Sequence, residues 1–172
     1  MAELAGQGAL SKGLEAVRTL LTNVAAYRTW MGAADVAAAS ARTYLLGEYD
    51  ANATLPCAAV FFSPENTMRG ETQYGGAGNF FARAGSADVM LIEETPAAYA
   101  DRDALDWLNA LKHITNAAGL VIEGVEALAG TGTYLNVRAW SVSGAVRDNP
   151  EGQKDLLKIV LRLEWAGPGN MA

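Results

Sequence analysis

Residues 157–165, LKIVLRLEW, decide the fold, because apolar side chains recur at every second position along them. A period of two is the pattern of a strand that buries one face. The other face carries charged residues at positions 158, 162 and 164. We therefore predict a long strand that packs against a hydrophobic core through five side chains: Leu157, Ile159, Leu161, Leu163 and Trp165.

Other apolar stretches predict the remaining strands of the sheet. Residues 58–62 form a short apolar run, and residues 80–94 continue as extended chain with a bulge or bend at Gly85. Within that second stretch, residues 89–92 are apolar on both faces, which is typical of a central strand. Two more strands are predicted over residues 120–128 and 134–147.

Three segments have the spacing of apolar residues that is typical of helices. The first begins at Ser11 as its N-cap and ends at Gly32, and the second covers the alanine-rich residues 34–46. Asp101 or Asp103 caps the third helix, which is predicted to end at residue 119, a glycine at the C′ position. Its predicted buried stripe is Ala104, Trp107, Leu108, Leu111, Ile114 and Ala118. The predicted fold class is α+β: a mixed or antiparallel sheet, two N-terminal helices and one further helix packed on it, and a C-terminal β-meander.

A length of 172 residues predicts one domain. We assign residues 11–166 to a single α+β domain, with flexible ends at 1–10 and 167–172. A long loop over residues 63–79 is rich in glycine and has almost no apolar periodicity. Loops of this length are usually functional or poorly ordered, so we predict that it contacts a partner. The candidate contact residues are Met68, Arg69, Tyr74 and Asn79.

Composition and charge exclude several classes of protein. Hydrophobic residues make up 51% of the chain and charged residues 19%, which excludes disorder over most of the length. The formal charge of −6 and the scattered basic residues argue against tight binding to nucleic acid. No apolar run approaches the length of a membrane-spanning helix, and the N-terminus does not resemble a signal peptide. We therefore expect a soluble protein of the cytoplasm of the producing cell.

The residues that carry chemistry form no recognisable catalytic or metal-binding pattern. Cys57 is the single cysteine and directly precedes the apolar run over residues 58–62, so we expect a buried thiol. His113 is the single histidine, and we expect it near a helix end, where the helix dipole favours it. Glu93 and Glu94 are adjacent in a strand and should point to opposite faces, so they cannot act as a pair. We expect no catalytic residues, no metal and no cofactor.

The order of segments across residues 14–166 resembles the tail terminator and neck (head–tail joining) proteins of tailed bacteriophages. Seven segments carry the resemblance: Thr29–Gly32, the alanine helix with Arg42–Tyr44, Leu55–Pro56 before an apolar strand, Phe81–Arg83 leading into Asp88–Ile92, the helix after Tyr99, the paired strands that follow it, and the closing Leu161–Trp165. Proteins of this group are similar α+β subunits that assemble as rings, commonly hexamers. They cap the tail tube and offer a surface to the head-side neck proteins.

The resemblance implies a structural virion protein of the neck or tail, assembled in the host cytoplasm, that is not an enzyme. Its partners would be further copies of itself, the tail tube protein and a head-side neck protein. DNA would pass through the lumen of the ring without specific binding, and no membrane would be involved. Other neck proteins, the stopper and the tail-completion protein, remain alternatives. Two further classes also remain: a small-ligand-binding bacterial α+β domain, and an enzyme that uses Cys57 or His113.

Overall fold

The structure, a computed structural model, describes residues 7–46, 52–62, 84–100, 103–149 and 154–166. In chain order these residues form α1 (Gln7–Asn23), α2 (Ala25–Met31), α3 (Val36–Ala41), β1 (Thr43–Leu45), β2 (Cys57–Phe62), β3 (Ala84–Glu94), a 3-10 helix (Ala97–Tyr99), α4 (Ala104–Leu128), β4 (Val137–Val142), β5 (Val146–Asp148) and β6 (Leu156–Ala166).

The strands form one mixed sheet in the order β1-β2-β3-β6-β4, and β5 also pairs with β6. β1 runs parallel to β2, whereas the other pairs are antiparallel. β4, β5 and β6 make the C-terminal meander. The predicted α+β class is therefore confirmed, with a central β3–β6 pair whose register runs without interruption over eleven residues of each strand.

The alternating stretch around residues 157–165 forms β6, as predicted. Its apolar face lies beside the matching face of β3, where Leu161 pairs with Val89 and Ile159 with Leu91. All four of these side chains are fully buried. The helices pack on this same face of the sheet, and their apolar side chains complete one continuous core.

The third predicted helix, α4, is longer than expected and contradicts the predicted strand over residues 120–128. It runs through Gly119 without a cap and ends only at Leu128. Val121, Ile122 and Val125 continue the buried stripe that starts at Ala110. β-Branched residues cost a helix at most a few tenths of a kcal/mol each, so their burial at helical spacing decides the outcome.

The predicted stripe of α4 is also wrong at its start. Leu108 is 65% exposed and Trp107 is 40% exposed, whereas Ile114 and Ala118 are buried as predicted. The N-cap is Asp103, whose carboxylate accepts a hydrogen bond of 2.8 Å from the backbone N–H of Asp106.

The N-terminal helices differ from the prediction in three ways. α1 begins at Gln7, so Ser11 lies inside it and is not the N-cap. The chain breaks at Val24 into a second helix, α2, which ends at Gly32 as predicted, with the positive φ of 62° that favours glycine. The second predicted helix, over 34–46, is only the six residues of α3, because residues 43–45 pair with β2 as a strand.

Gly85 makes no bulge, and the sequence prediction is wrong there. β3 keeps its register through this residue, which pairs with Trp165. The indole of Trp165 lies directly on Gly85, so that an added Cβ would be 2.7 Å from its Cζ2 atom. Glycine is needed here for the close approach of a side chain. The predicted strand over 134–147 is in fact two strands, β4 and β5, separated at residues 143–145.

The predicted loop 63–79 and the C-terminal segment 167–172 lie outside the described residues. Within the part of the chain that the structure describes, no helix combines the length and the apolar character that crossing a bilayer requires.

Candidate functional site

A buried carboxylate joins the sheet to two helices. Glu93 lies on the core face of β3 and is only 5% exposed. The indole N–H of Trp30, on α2, donates a hydrogen bond of 2.9 Å to Glu93 Oε2. His113, on α4, places its Nε2 atom 3.2 Å from Glu93 Oε1. We call Glu93, Trp30 and His113 the carboxylate cluster. Glu94, the next residue on β3, is exposed, as expected from strand alternation.

Aromatic rings hold the side chains of this cluster in place. The ring of Tyr99, on the 3-10 helix, lies 6.3 Å from that of His113, measured between centroids. The ring of Tyr27 lies 5.8 Å from that of Trp30. His113 is half-exposed and sits in the interior of α4, so the predicted position near a helix end is wrong. The carboxylate of Glu93 explains its position better than the helix dipole does.

A second polar group lies beside the carboxylate cluster. The side chain of Arg147, on β5, is fully buried and donates three hydrogen bonds to Asp155, two from Nε at 3.0 and 3.1 Å and one from Nη2 at 2.5 Å. Its Nη2 atom also donates to the carbonyl oxygen of Tyr99 at 3.2 Å. The guanidinium lies 4.9 Å from the ring centroid of Trp107, within the range of a cation–π contact. Leu157 pairs with both Glu93 and Arg147 and separates the two groups.

Burial controls the charge of the carboxylate cluster. The loss of water raises the pKa of Glu93, and the neighbouring His113 and the hydrogen bond from Trp30 oppose that rise. A carboxylate that orients an imidazole is an acid–base arrangement, but catalysis also requires a nucleophile or a bound substrate. Among the described residues, no group of three or more His, Cys, Asp and Glu side chains could hold a metal ion.

The two residues that the sequence offered for catalysis, Cys57 and His113, lie on opposite faces of the sheet. Cys57 pairs with Ile92, one residue before Glu93, so its side chain lies on the opposite face of the sheet from the carboxylate cluster. Cys57 is fully buried, and burial raises the pKa of its thiol to about 11. Cys57 and His113 of one chain therefore cannot act as a thiolate–imidazole pair.

The outward side of α4 carries apolar side chains that face solvent. Leu105 and Leu108 are each 65% exposed, and Leu120 is 57% exposed. The helix has 25 residues and is therefore about 37 Å long. Lys112 lies seven residues after Leu105 and eight residues before Leu120. Residues at these spacings lie on the same side of a helix, and here that side is opposite the buried stripe. We call Leu105, Leu108 and Leu120 the outer leucines.

An open cleft lies between the end of α4 and strand β4. It has a volume of about 410 Å³ and is lined by Glu126, Ala129 and residues 137–140. Trp140 is 45% exposed, and its indole N–H donates a hydrogen bond of 2.7 Å to Glu126 across the cleft. A ligand-binding domain would need a sheltered pocket with converging polar groups, and this cleft does not provide one.

The candidate contact residues from the sequence, Met68, Arg69, Tyr74 and Asn79, lie outside the described residues. The sequence analysis missed the carboxylate cluster, because its members come from α2, β3 and α4 and no spacing along the chain connects them. The one sequence signal for this cluster was the acidic residue Glu93, which directly follows the apolar residues 89–92. No known protein-family model matches the chain, and no curated protein is significantly similar to it in sequence.

Proposed function

We propose that this protein is a structural subunit of a tailed-phage virion, a ring-forming tail terminator that caps the tail tube and joins it to the head-side neck. The proposal starts from the order of sequence segments described above. A stopper or tail-completion protein of the same neck is the alternative within this class. The structural observation that carries the proposal is the set of outer leucines on α4.

The outer leucines suit a surface that another subunit covers. Single exposed apolar residues are common on soluble proteins, but here three large ones share one side of one helix. Burial of a leucine side chain contributes about 1.5–3 kcal/mol, so two of them account for a substantial part of a subunit contact. We assign this side of α4 to the contact between neighbouring copies of the chain.

The sheet also offers two edges on which a ring could be built. Within the described residues, β1 lies at one end of the strand order and β4 at the other. The outer edge of each strand presents backbone N–H and C=O groups that a neighbouring strand could pair with. Different edges at opposite ends favour a head-to-tail contact, the type of contact that closes into a ring when the rotation permits.

Native mass measurement and negative-stain microscopy, over a range of protein concentrations, test the proposal. We expect closed rings with a central hole of at least about 20 Å, wide enough for duplex DNA. A chain that stays monomeric both alone and with purified tail tubes, and leaves the tube ends uncapped, would contradict it. Tight binding of a small metabolite by such a monomer would support the ligand-binding class instead.

Two variants test whether the outer leucines make the subunit contact. Leu105→Glu with Leu108→Glu should raise the concentration at which rings form by at least about tenfold. Val36→Glu is the matched control, because Val36 is also an apolar residue that faces solvent, 39% exposed, but lies on α3 and on neither edge of the sheet. Equal ring formation by the leucine variant and the wild type would exclude this surface.

A further inference from the structure

The carboxylate cluster brings a titratable pair to the junction of three elements. Glu93 belongs to the sheet, Trp30 to α2 and His113 to α4, and both contacts to the carboxylate span long distances in the chain. We propose that Glu93 and His113 form a proton-responsive contact that fastens α2 and α4 to the sheet, firm while the pair holds a proton and weaker once that proton is lost.

The groups around Glu93 make His113 the partner that decides its charge. From α2, the neighbour is the neutral indole of Trp30, and from β6 it is the apolar Leu157. From the 3-10 helix, Tyr99 packs against His113. On β5, Arg147 lies beyond Leu157 and is engaged by Asp155. Within the described residues, the imidazole is thus the titratable group in contact with the carboxylate.

Loss of the proton changes the balance of this contact. With one proton on the pair, either a neutral carboxyl or an imidazolium–carboxylate pair lies in the buried position. Without that proton, the buried carboxylate of Glu93 contacts only the neutral imidazole of His113 and the neutral indole of Trp30. These neutral groups compensate poorly for the water that the charged carboxylate has lost. Because burial raises the pKa of Glu93, this loss of charge balance occurs above the usual titration range of a carboxyl group.

The direction of the effect on stability follows from the raised pKa of Glu93. The folded protein holds the proton of Glu93 more tightly than the unfolded chain does. Its contribution to stability is therefore fully present below the usual value of 4.5 and is lost as the pH rises through the higher value of the folded state. The Glu93→Gln variant keeps an acceptor for Trp30 but has no such proton to lose.

The chain contains its own control for a tryptophan–carboxylate contact. Trp140 donates to Glu126 with a similar geometry, 2.7 Å between indole nitrogen and carboxylate oxygen. That pair lies at the surface, and its cleft is lined by no histidine. The indole N–H resonance of Trp140 therefore shows how a tryptophan–carboxylate contact responds to pH when the carboxylate is neither buried nor next to an imidazole.

The experiment follows the indole N–H resonances of the ¹⁵N-labelled protein from pH 4.5 to 8.5, with Trp30→Phe and Trp140→Phe for assignment. The Trp30 resonance should shift in the wild type as the pH rises, with a midpoint above the usual value of 4.5 for a glutamate. It should not shift in Glu93→Gln, and in His113→Gln the midpoint should move to higher pH, because the carboxyl loses its positive neighbour. The Trp140 resonance should respond to pH in the same way in the wild type, Glu93→Gln and His113→Gln.

Hydrogen exchange tests whether the contact fastens α2. After correction for the intrinsic rate, exchange of the Arg28–Met31 amides should increase up to about fivefold between pH 5.5 and 8 in the wild type. The increase should be absent in Glu93→Gln. A Trp30 resonance that does not respond to pH, or that still titrates in Glu93→Gln, would overturn the proposal. A change in exchange that is uniform over the whole protein would do so as well.

Discussion

Alanine in place of Gly124 should destabilise the protein, whereas alanine in place of Gly119, five residues earlier in the same helix, should stabilise it. Both glycines lie inside α4. A Cβ at position 119 would meet no atom within 4 Å, whereas a Cβ at position 124 would lie 2.3 Å from Val24 Cγ1. Val24 is buried at the break between α1 and α2, so α4 packs closely on the N-terminal helices at this point.

The magnitudes follow from two opposing effects. Replacing glycine by alanine inside a helix gains about 0.8–1 kcal/mol, and nothing opposes that gain at position 119. At position 124 the new methyl group overlaps a β-branched side chain with one preferred rotamer, since carbon atoms normally stay about 3.5–4.0 Å apart. Overpacking of this kind costs about 1–3 kcal/mol. Because an approach of 2.3 Å is a severe overlap, we take the upper part of this range, about 2–3 kcal/mol, and expect a net loss of about 1–2 kcal/mol for Gly124→Ala.

Thermal and urea unfolding of the two variants measure this difference. For a chain of this size, Gly119→Ala should raise Tm by about 2–4 °C, and Gly124→Ala should lower it by about 2–8 °C. Val24→Ala combined with Gly124→Ala should be more stable than the sum of the single effects, because the overlapping methyl group is gone. If Gly124→Ala stabilised the protein as much as Gly119→Ala, the close packing of α4 on Val24 would be refuted.

Two further predictions concern the sheet. Gly85→Ala should destabilise the protein by about 2 kcal/mol in urea unfolding, because the new Cβ would lie 2.7 Å from the buried indole of Trp165; an unchanged midpoint would contradict this contact. With a pKa near 11, Cys57 carries about one thousandth of its thiol as thiolate at pH 8, so iodoacetamide should modify the native protein at least about a hundredfold more slowly than the unfolded protein. Equal rates in the two states would show that the thiol is accessible.

The long strands could be predicted because their patterns were strong. The alternation along β6 and the apolar run of β2 each match one kind of structure, and both strands formed where expected. α4 was predicted too short, because Gly119 and the β-branched residues that follow it favoured a turn and a strand locally. Burial of Val121 and Ile122 against the core outweighs that local preference, and such tertiary packing is not visible in a short window of sequence.

The candidate site was harder to predict from the sequence than the fold was. The pairing of Glu93 with His113 depends on where α4 crosses the sheet, and the contact with Trp30 depends on the break at Val24 that creates α2. Both are properties of the packed molecule. The outer leucines show the same limit, since Leu108 has the spacing of a core residue and only the rotation of α4 places it outside.

The position of β6 in the chain also sets the order in which the protein can be completed on the ribosome. β3 occupies the middle of the sheet together with β6, yet about seventy residues separate Val89 from its neighbour Leu161. At a synthesis rate of roughly 5–20 residues per second, β3 must wait several seconds for that neighbour. Throughout that wait, one of the two hydrogen-bonding edges of β3 lacks its partner strand. The nascent chain is therefore most exposed to misassembly shortly before its last strand emerges.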